Sequence, residues 1–147
     1  MIIKSLDHLN LLTIKVAEQL KKNDLIFLIG DIGVGKTTLT RYLINYLQAK
    51  EGLKITEVLS PTFNLLYEYD FKNFKIMHYD LYRIKNENEL KQLGIFSDNQ
   101  STIKIIEWPN LVKTPLINKL EIHIHYTKNE NEREVKLIGT GKWENFI

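Results

Sequence analysis

Apolar residues recur along the chain in distinct rhythms. Leu9, Leu12, Thr13, Val16 and Leu20 follow helical spacing, with Lys15, Glu18 and Lys22 on the other side, which predicts an amphipathic helix from about Asp7 to Lys21. Asn23-Asp24 breaks it. Leu25–Ile29 is a continuous apolar run, as expected of a central strand buried on both faces. Gly30–Gly35 reads as a loop, and Leu39, Tyr42, Leu43, Tyr46 and Leu47 form the stripe of a second helix over Lys36–Ala49. Strand, glycine-rich loop and helix in this order begin a βαβ unit.

The pattern changes in the middle of the chain. Thr56–Leu59 reads as a short strand and Ser60-Pro61-Thr62 as a rigid loop. Asn64–Phe71 and Phe74–Tyr79 read as aromatic-rich strands of a hairpin turning at Lys72-Asn73. Asn86-Glu87-Asn88-Glu89 has the spacing of a capping box and predicts a short helix through Leu93-Gly94. Ile103–Ile106 is another apolar run, ending in Glu107-Trp108-Pro109. Leu120, Ile122, Ile124 and Tyr126 then alternate with Glu121, His123 and His125. With Arg133–Gly139, across the polar turn Lys128–Glu132, they predict an antiparallel pair facing solvent on one side. No repeat, low-complexity tract or linker interrupts the pattern. The expectation is one α/β domain over residues 1–147, a P-loop NTPase-like fold with a central mixed β-sheet flanked by helices.

Composition narrows the function. The formal net charge is +2, too balanced to propose nucleic acid as a partner from charge alone. The absence of cysteine excludes disulfides, thiolate catalysis and zinc–cysteine sites. The N-terminus does not read as a signal peptide and no apolar run is long enough for a membrane span, so a cytoplasmic protein without membrane attachment is expected.

Gly30-Asp31-Ile32-Gly33-Val34-Gly35-Lys36-Thr37 matches the phosphate-loop pattern G-x-x-x-x-G-K-[ST]. The glycines let the backbone wrap so that successive N–H groups point inward, and the helix that follows adds partial positive charge. Lys36 can reach the β- and γ-phosphates of a nucleotide, the Thr37 hydroxyl is placed to ligate Mg²⁺, and Thr38 could bond the α-phosphate. Asp31, Ile32, Gly33, Val34 and Gly35, with Lys36, Thr37 and Thr38, are the candidate nucleotide contacts. A glycine-rich structural turn would explain one or two of the glycines, but not Gly-Lys-Thr-Thr at the start of a helix. Such a loop needs a carboxylate at the end of a neighbouring strand to hold the metal's water shell. Glu107 and Asp80 both qualify.

Other candidates read more simply. His123 and His125 share a strand face, but no third ligand stands nearby, so they belong to a solvated face. Phe63, Tyr67, Tyr69, Phe71 and Phe74 read as hairpin packing rather than base stacking, because no basic residues interleave with them.

Taken together, Gly-Asp-Ile-Gly-Val-Gly-Lys-Thr-Thr at 30–38, Ser60-Pro61-Thr62-Phe63, His78-Tyr79-Asp80-Leu81-Tyr82-Arg83, Glu89-Leu90 with Leu93-Gly94, and Ile106-Glu107-Trp108-Pro109 resemble the bacterial TsaE (YjeE) family of P-loop ATPases. The phosphate loop is shared by many families; the remaining series is far more specific. The resemblance implies Mg²⁺-dependent ATP binding and slow hydrolysis in the complex that installs threonylcarbamoyl on a tRNA adenosine. It also implies a TsaB–TsaD-type partner pair, with tRNA reached only through that complex. By analogy Thr37 and Glu107 are the metal ligands, Lys36, Asp80, Glu107 and Thr62 are the catalytic candidates, and Arg133 helps hold the nucleotide. Val34 stands where the family more usually has Ala. Two rivals are a non-catalytic nucleotide-dependent binding module, and a small-molecule kinase, which normally carries an arginine-rich lid. The chain has only Arg41, Arg83 and Arg133. A guanine-specific GTPase would need an Asn-Lys-x-Asp motif, which is absent.

Overall fold

The structure, a computed structural model, describes residues 1–96, 101–113 and 118–146. The first helix, α1 (Leu6–Gln19), is preceded by a two-residue strand, β1 (Ile2–Ile3). Ser5 caps α1 by accepting from His8 N at 3.1 Å, satisfying one of the free amides of the first turn. The predicted apolar stripe is buried at Leu9, Leu12, Thr13 and Val16, and the helix ends two residues earlier than expected because Leu20, half-buried, adopts extended backbone.

β2 (Leu25–Ile29), the phosphate loop and α2 (Lys36–Lys50) follow as predicted. β3 (Leu66–Asp70) and β4 (Lys75–Asp80) form the hairpin, α3 (Glu87–Gln92) is capped by Asn86, and β5 (Thr102–Glu107) is the run ending in the acid. β6 (Lys119–Tyr126) and β7 (Arg133–Thr140) are the C-terminal antiparallel pair.

Among the described residues seven strands join one sheet in the order β1-β7-β6-β2-β5-β4-β3. β2 runs parallel to both β5 and β6, and β4 runs parallel to β5, while the outer pairings are antiparallel. The mixed α/β architecture is the expected one. The C-terminal pair is built into the sheet: β6 lies directly beside β2, with its Lys119, Glu121 and His123 face half-buried and its end at His125 and Tyr126 exposed.

The continuous apolar run of β2 is explained by two cores, one on each face of the sheet. Ile26 and Leu28 pack with Val16 of α1 and Leu39 and Leu43 of α2, whereas Leu25 and Phe27 pack with Tyr79, Ile106 and Leu90 of α3. Tyr79 is fully buried; its phenol donates to the Leu93 carbonyl at 3.2 Å, and burial pushes its pKa up to about 12.

Two expectations fail. Thr56–Leu59 is not a strand. Gln48 of α2 takes its polar groups instead, accepting from Thr56 N at 3.2 Å and donating to Thr56 Oγ1 at 2.8 Å, while Val58 is buried in the core. Among the aromatics, Phe71 and Phe74 stack across the hairpin turn at 4.7 Å, but Phe63 is 81% exposed and takes no part in hairpin packing. It stands in the loop before β3, with the Arg83 guanidinium 5.5 Å from its ring centre. No helix among the described residues is long and apolar enough to cross a membrane.

Candidate functional site

A cleft of about 270 Å³ opens at the carboxyl ends of the parallel strands β2, β4 and β5, where α/β sheets hold ligands. One wall is the loop between β2 and α2. Gly33 and Gly35 have φ of 78° and 124°, a region that L side chains rarely adopt, and both line the cleft. Gly30 is required for a different reason: a Cβ there would collide with the Ile124 carbonyl of the adjacent strand. Ile32, Lys36, Thr37 and Thr38 also face the cleft.

Lys36 is only 5% exposed. Its ammonium hydrogen-bonds the carbonyls of Gly30 and Asp31 and lies 4.0 Å from the centre of the Trp108 ring. Desolvation by burial lowers its pKa, against the opposing pull of Glu107, Asp80 and Asp31. The cation is thus stored on its own loop and on an aromatic face, close to two carboxylates and within the cleft.

The opposite wall carries those acids. Asp80 and Glu107 end adjacent parallel strands as direct partners in the ladder, which is why both strand-end candidates reach the same cleft. Glu107 is 2% exposed; Thr37 Oγ1 donates toward its carboxylate at 3.2 and 3.4 Å, and His78 Nε2 lies 2.6 Å from Oε2. Asp80 accepts from Thr62 Oγ1 at 3.0 Å and from Tyr82 N at 2.9 Å, and Ser60 Oγ lies 2.7 Å from Thr62 Oγ1. The Ser60-Pro61-Thr62 loop is therefore tied to the acid at the end of β4.

The cleft brings together most of the candidates: Lys36, Thr37, Thr38, Thr62, Asp80 and Glu107, with Ile32, Gly33 and Gly35. Asp31, Val34 and Arg133 do not line it. Asp31 is exposed, Val34 is buried in the core, and Arg133 donates from Nε to the Val34 carbonyl at 3.0 Å. The sequence pattern assigns no role to Tyr82, whose ring lies 4.9 Å from Trp108, nor does it show that His78 meets Glu107. Alternation along β4 puts His78 on the face of Asp80, but only its neighbour β5 brings in Glu107. Trp108 adopts a left-handed φ of 58°, a strain of about 1–3 kcal/mol for a non-glycine residue that turns its ring over Lys36.

The arrangement fits a magnesium–nucleotide complex. Gly33 and Gly35 leave a backbone cradle, and a Cβ at Gly35 would meet nothing within 4 Å. The donors beside it are a hydroxyl and carboxylates, the hard oxygen ligands that magnesium takes while leaving the rest of its shell to water and phosphate. His123 and His125 lie elsewhere, their rings 6.4 Å apart. Among the described residues no group of three or more His, Asp or Glu is gathered as a metal site made of protein alone.

Comparison with known proteins identifies the family and the fold. The family model for threonylcarbamoyl adenosine biosynthesis protein TsaE matches residues 3–135. The tRNA threonylcarbamoyladenosine biosynthesis protein TsaE of Rickettsia prowazekii is 41% identical over 131 residues, 89% of this chain and 85% of that protein. Its namesake from Bacillus subtilis is 33% identical over 123 residues, covering 82% and 73%. The crystal structure of Bacillus subtilis YdiB has the same fold, with a TM-score of 0.69 at 23% identity over 96% of this chain and 84% of that one.

Proposed function

Because the chain belongs to the TsaE family of threonylcarbamoyl adenosine biosynthesis, we propose that it serves this tRNA modification as a slow, Mg²⁺-dependent ATPase in the cytoplasm. The observation that carries this reading is the convergence of Lys36, Thr37, Asp80 and Glu107 on one cleft beside a glycine backbone cradle. The loop amides and the start of α2 bind the phosphates, and Lys36 moves its charge from its own carbonyls to the more negative phosphate oxygens. Thr37 and Glu107 would hold Mg²⁺, directly or through water. Bound Mg²⁺ supplies neutralisation of charge on the phosphate oxygens. Asp80, fixed by Thr62 and by Tyr82 N, presents a carboxylate oxygen that orients water for attack.

No strong general base is needed in such a site; positioning and charge neutralisation carry most of phosphoryl transfer. Slow turnover follows if another protein completes the site, and the family reading assigns that role to a TsaB–TsaD-type pair, through which tRNA is reached. The test is Mg²⁺-dependent ATP hydrolysis by the purified chain, alone and with the pair. Turnover that rises with the pair and is lost in Lys36→Ala supports the proposal. Turnover indifferent to the pair rejects the coupling, and absence of nucleotide binding rejects the site.

A further inference from the structure

We infer that the C-terminal hairpin sets the shape of the phosphate loop, with Tyr126 and Arg133 as positioning residues that hold two loop carbonyls outward and so aim the next amides into the cleft. The inference rests on reading this loop as a phosphate site. Tyr126 and Arg133 are ladder partners at the turn end of the β6–β7 hairpin, and the guanidinium carbon lies 4.6 Å from the tyrosine ring centre. The Tyr126 hydroxyl donates to the Ile32 carbonyl at 2.8 Å, and Arg133 Nε donates to the Val34 carbonyl at 3.0 Å.

A trans peptide is planar, so a carbonyl and the following N–H point in opposite directions. Fixing the Ile32 and Val34 carbonyls on the hairpin therefore turns the amides of Gly33 and Gly35 away from it. Those two glycines line the cleft, whereas neither Tyr126 nor Arg133 does. The tyrosine hydroxyl lies 3.1 Å from where a Cβ on Gly33 would stand, so this contact also depends on the glycine. Arg133 is itself held in place: Nη1 donates to the carbonyls of Glu130 and Glu132, each at 2.8 Å. Its role is thus to orient the loop's main chain rather than to touch phosphate. Amides already aimed at the phosphates avoid an ordering cost on binding.

The test uses the full chain in four forms: wild type, Tyr126→Phe, Arg133→Ala and Lys36→Ala. Three quantities are measured: ADP affinity by calorimetry, hydrogen exchange of the 30–37 segment without nucleotide, and the melting temperature of the free protein. Tyr126→Phe keeps the ring and its packing. It is expected to weaken ADP about five-fold, the size of one net hydrogen bond, and to speed exchange in the loop with at most a small fall in melting temperature. Arg133→Ala is expected to do the same or more. Unchanged affinity in Tyr126→Phe overturns the inference, as does weaker binding with loop exchange unchanged. Failure of the wild type to bind ADP overturns the functional reading instead, and loop exchange alone then decides whether the hairpin sets the loop.

Discussion

One wall of the cleft is a single run of chain, Gly30–Thr38, while the facing wall is assembled from the Ser60–Thr62 loop and the ends of β4 and β5. The first works through backbone: its glycines have no side chains to offer, and their φ values set where the amides point. The second works through side-chain oxygens, each already engaged, with Thr62 on Asp80 and both Thr37 and His78 on Glu107. The difference teaches where each wall is vulnerable. The backbone wall fails when the chain is bent differently, and the acid wall fails when one partner of a buried pair is removed.

The sharpest way to separate the walls is to compare Lys36→Ala with Glu107→Gln. Both are expected to reduce Mg²⁺-dependent hydrolysis by about 100-fold or more, the loss typical of a charge-stabilising group. Only Lys36→Ala should also weaken ADP in the absence of magnesium, which calorimetry with a chelator present would reveal. Equal metal-free affinity in the two variants breaks the division of labour.

A second comparison lies within the acid wall. His78→Phe leaves the buried Glu107 without its shortest hydrogen bond, and urea unfolding should show a loss of about 1–3 kcal/mol. His78→Gln, whose amide can reach a similar point, should recover part of it. If Phe and Gln prove equally stable, the contact contributes nothing.

On the backbone wall, Gly35→Ala meets open space but an adverse φ, so denaturation should report a cost of about 1–2 kcal/mol from conformation alone. The smallest effect is expected at Phe63, exposed on the acid-wall loop. Phe63→Ser should leave stability within about 0.5 kcal/mol of wild type. A larger loss in thermal unfolding would mean that the ring packs after all.

The two walls were also unequally legible. The phosphate loop could be read residue by residue because its determinants are consecutive and its flanking strand and helix carry strong periodicities. Asp80 and Glu107 were visible only as two strand-end acids competing for one role; the parallel register of β4 and β5 puts both in the cleft. Some local readings failed because a distant group intervened. Thr56–Leu59 has a strand-like sequence, but Gln48 takes the Thr56 amide and Val58 is drawn into the core. β1 has two residues, too few for any period, and depends on pairing with β7. Tyr126 fits the apolar alternation of β6, yet it is 48% exposed because the strand runs beyond the core to reach the loop.

By itself the sequence determined the α/β class, the phosphate loop and the family, since each is written in contiguous spacing or in a series of short motifs. The tertiary structure alone decided which acids meet, that His78 serves Glu107, and that Arg133 holds the loop's backbone at Val34. The physical reason is range. Periodicity and loop geometry follow from neighbours along the chain, whereas these contacts join segments brought together only by strand order and register.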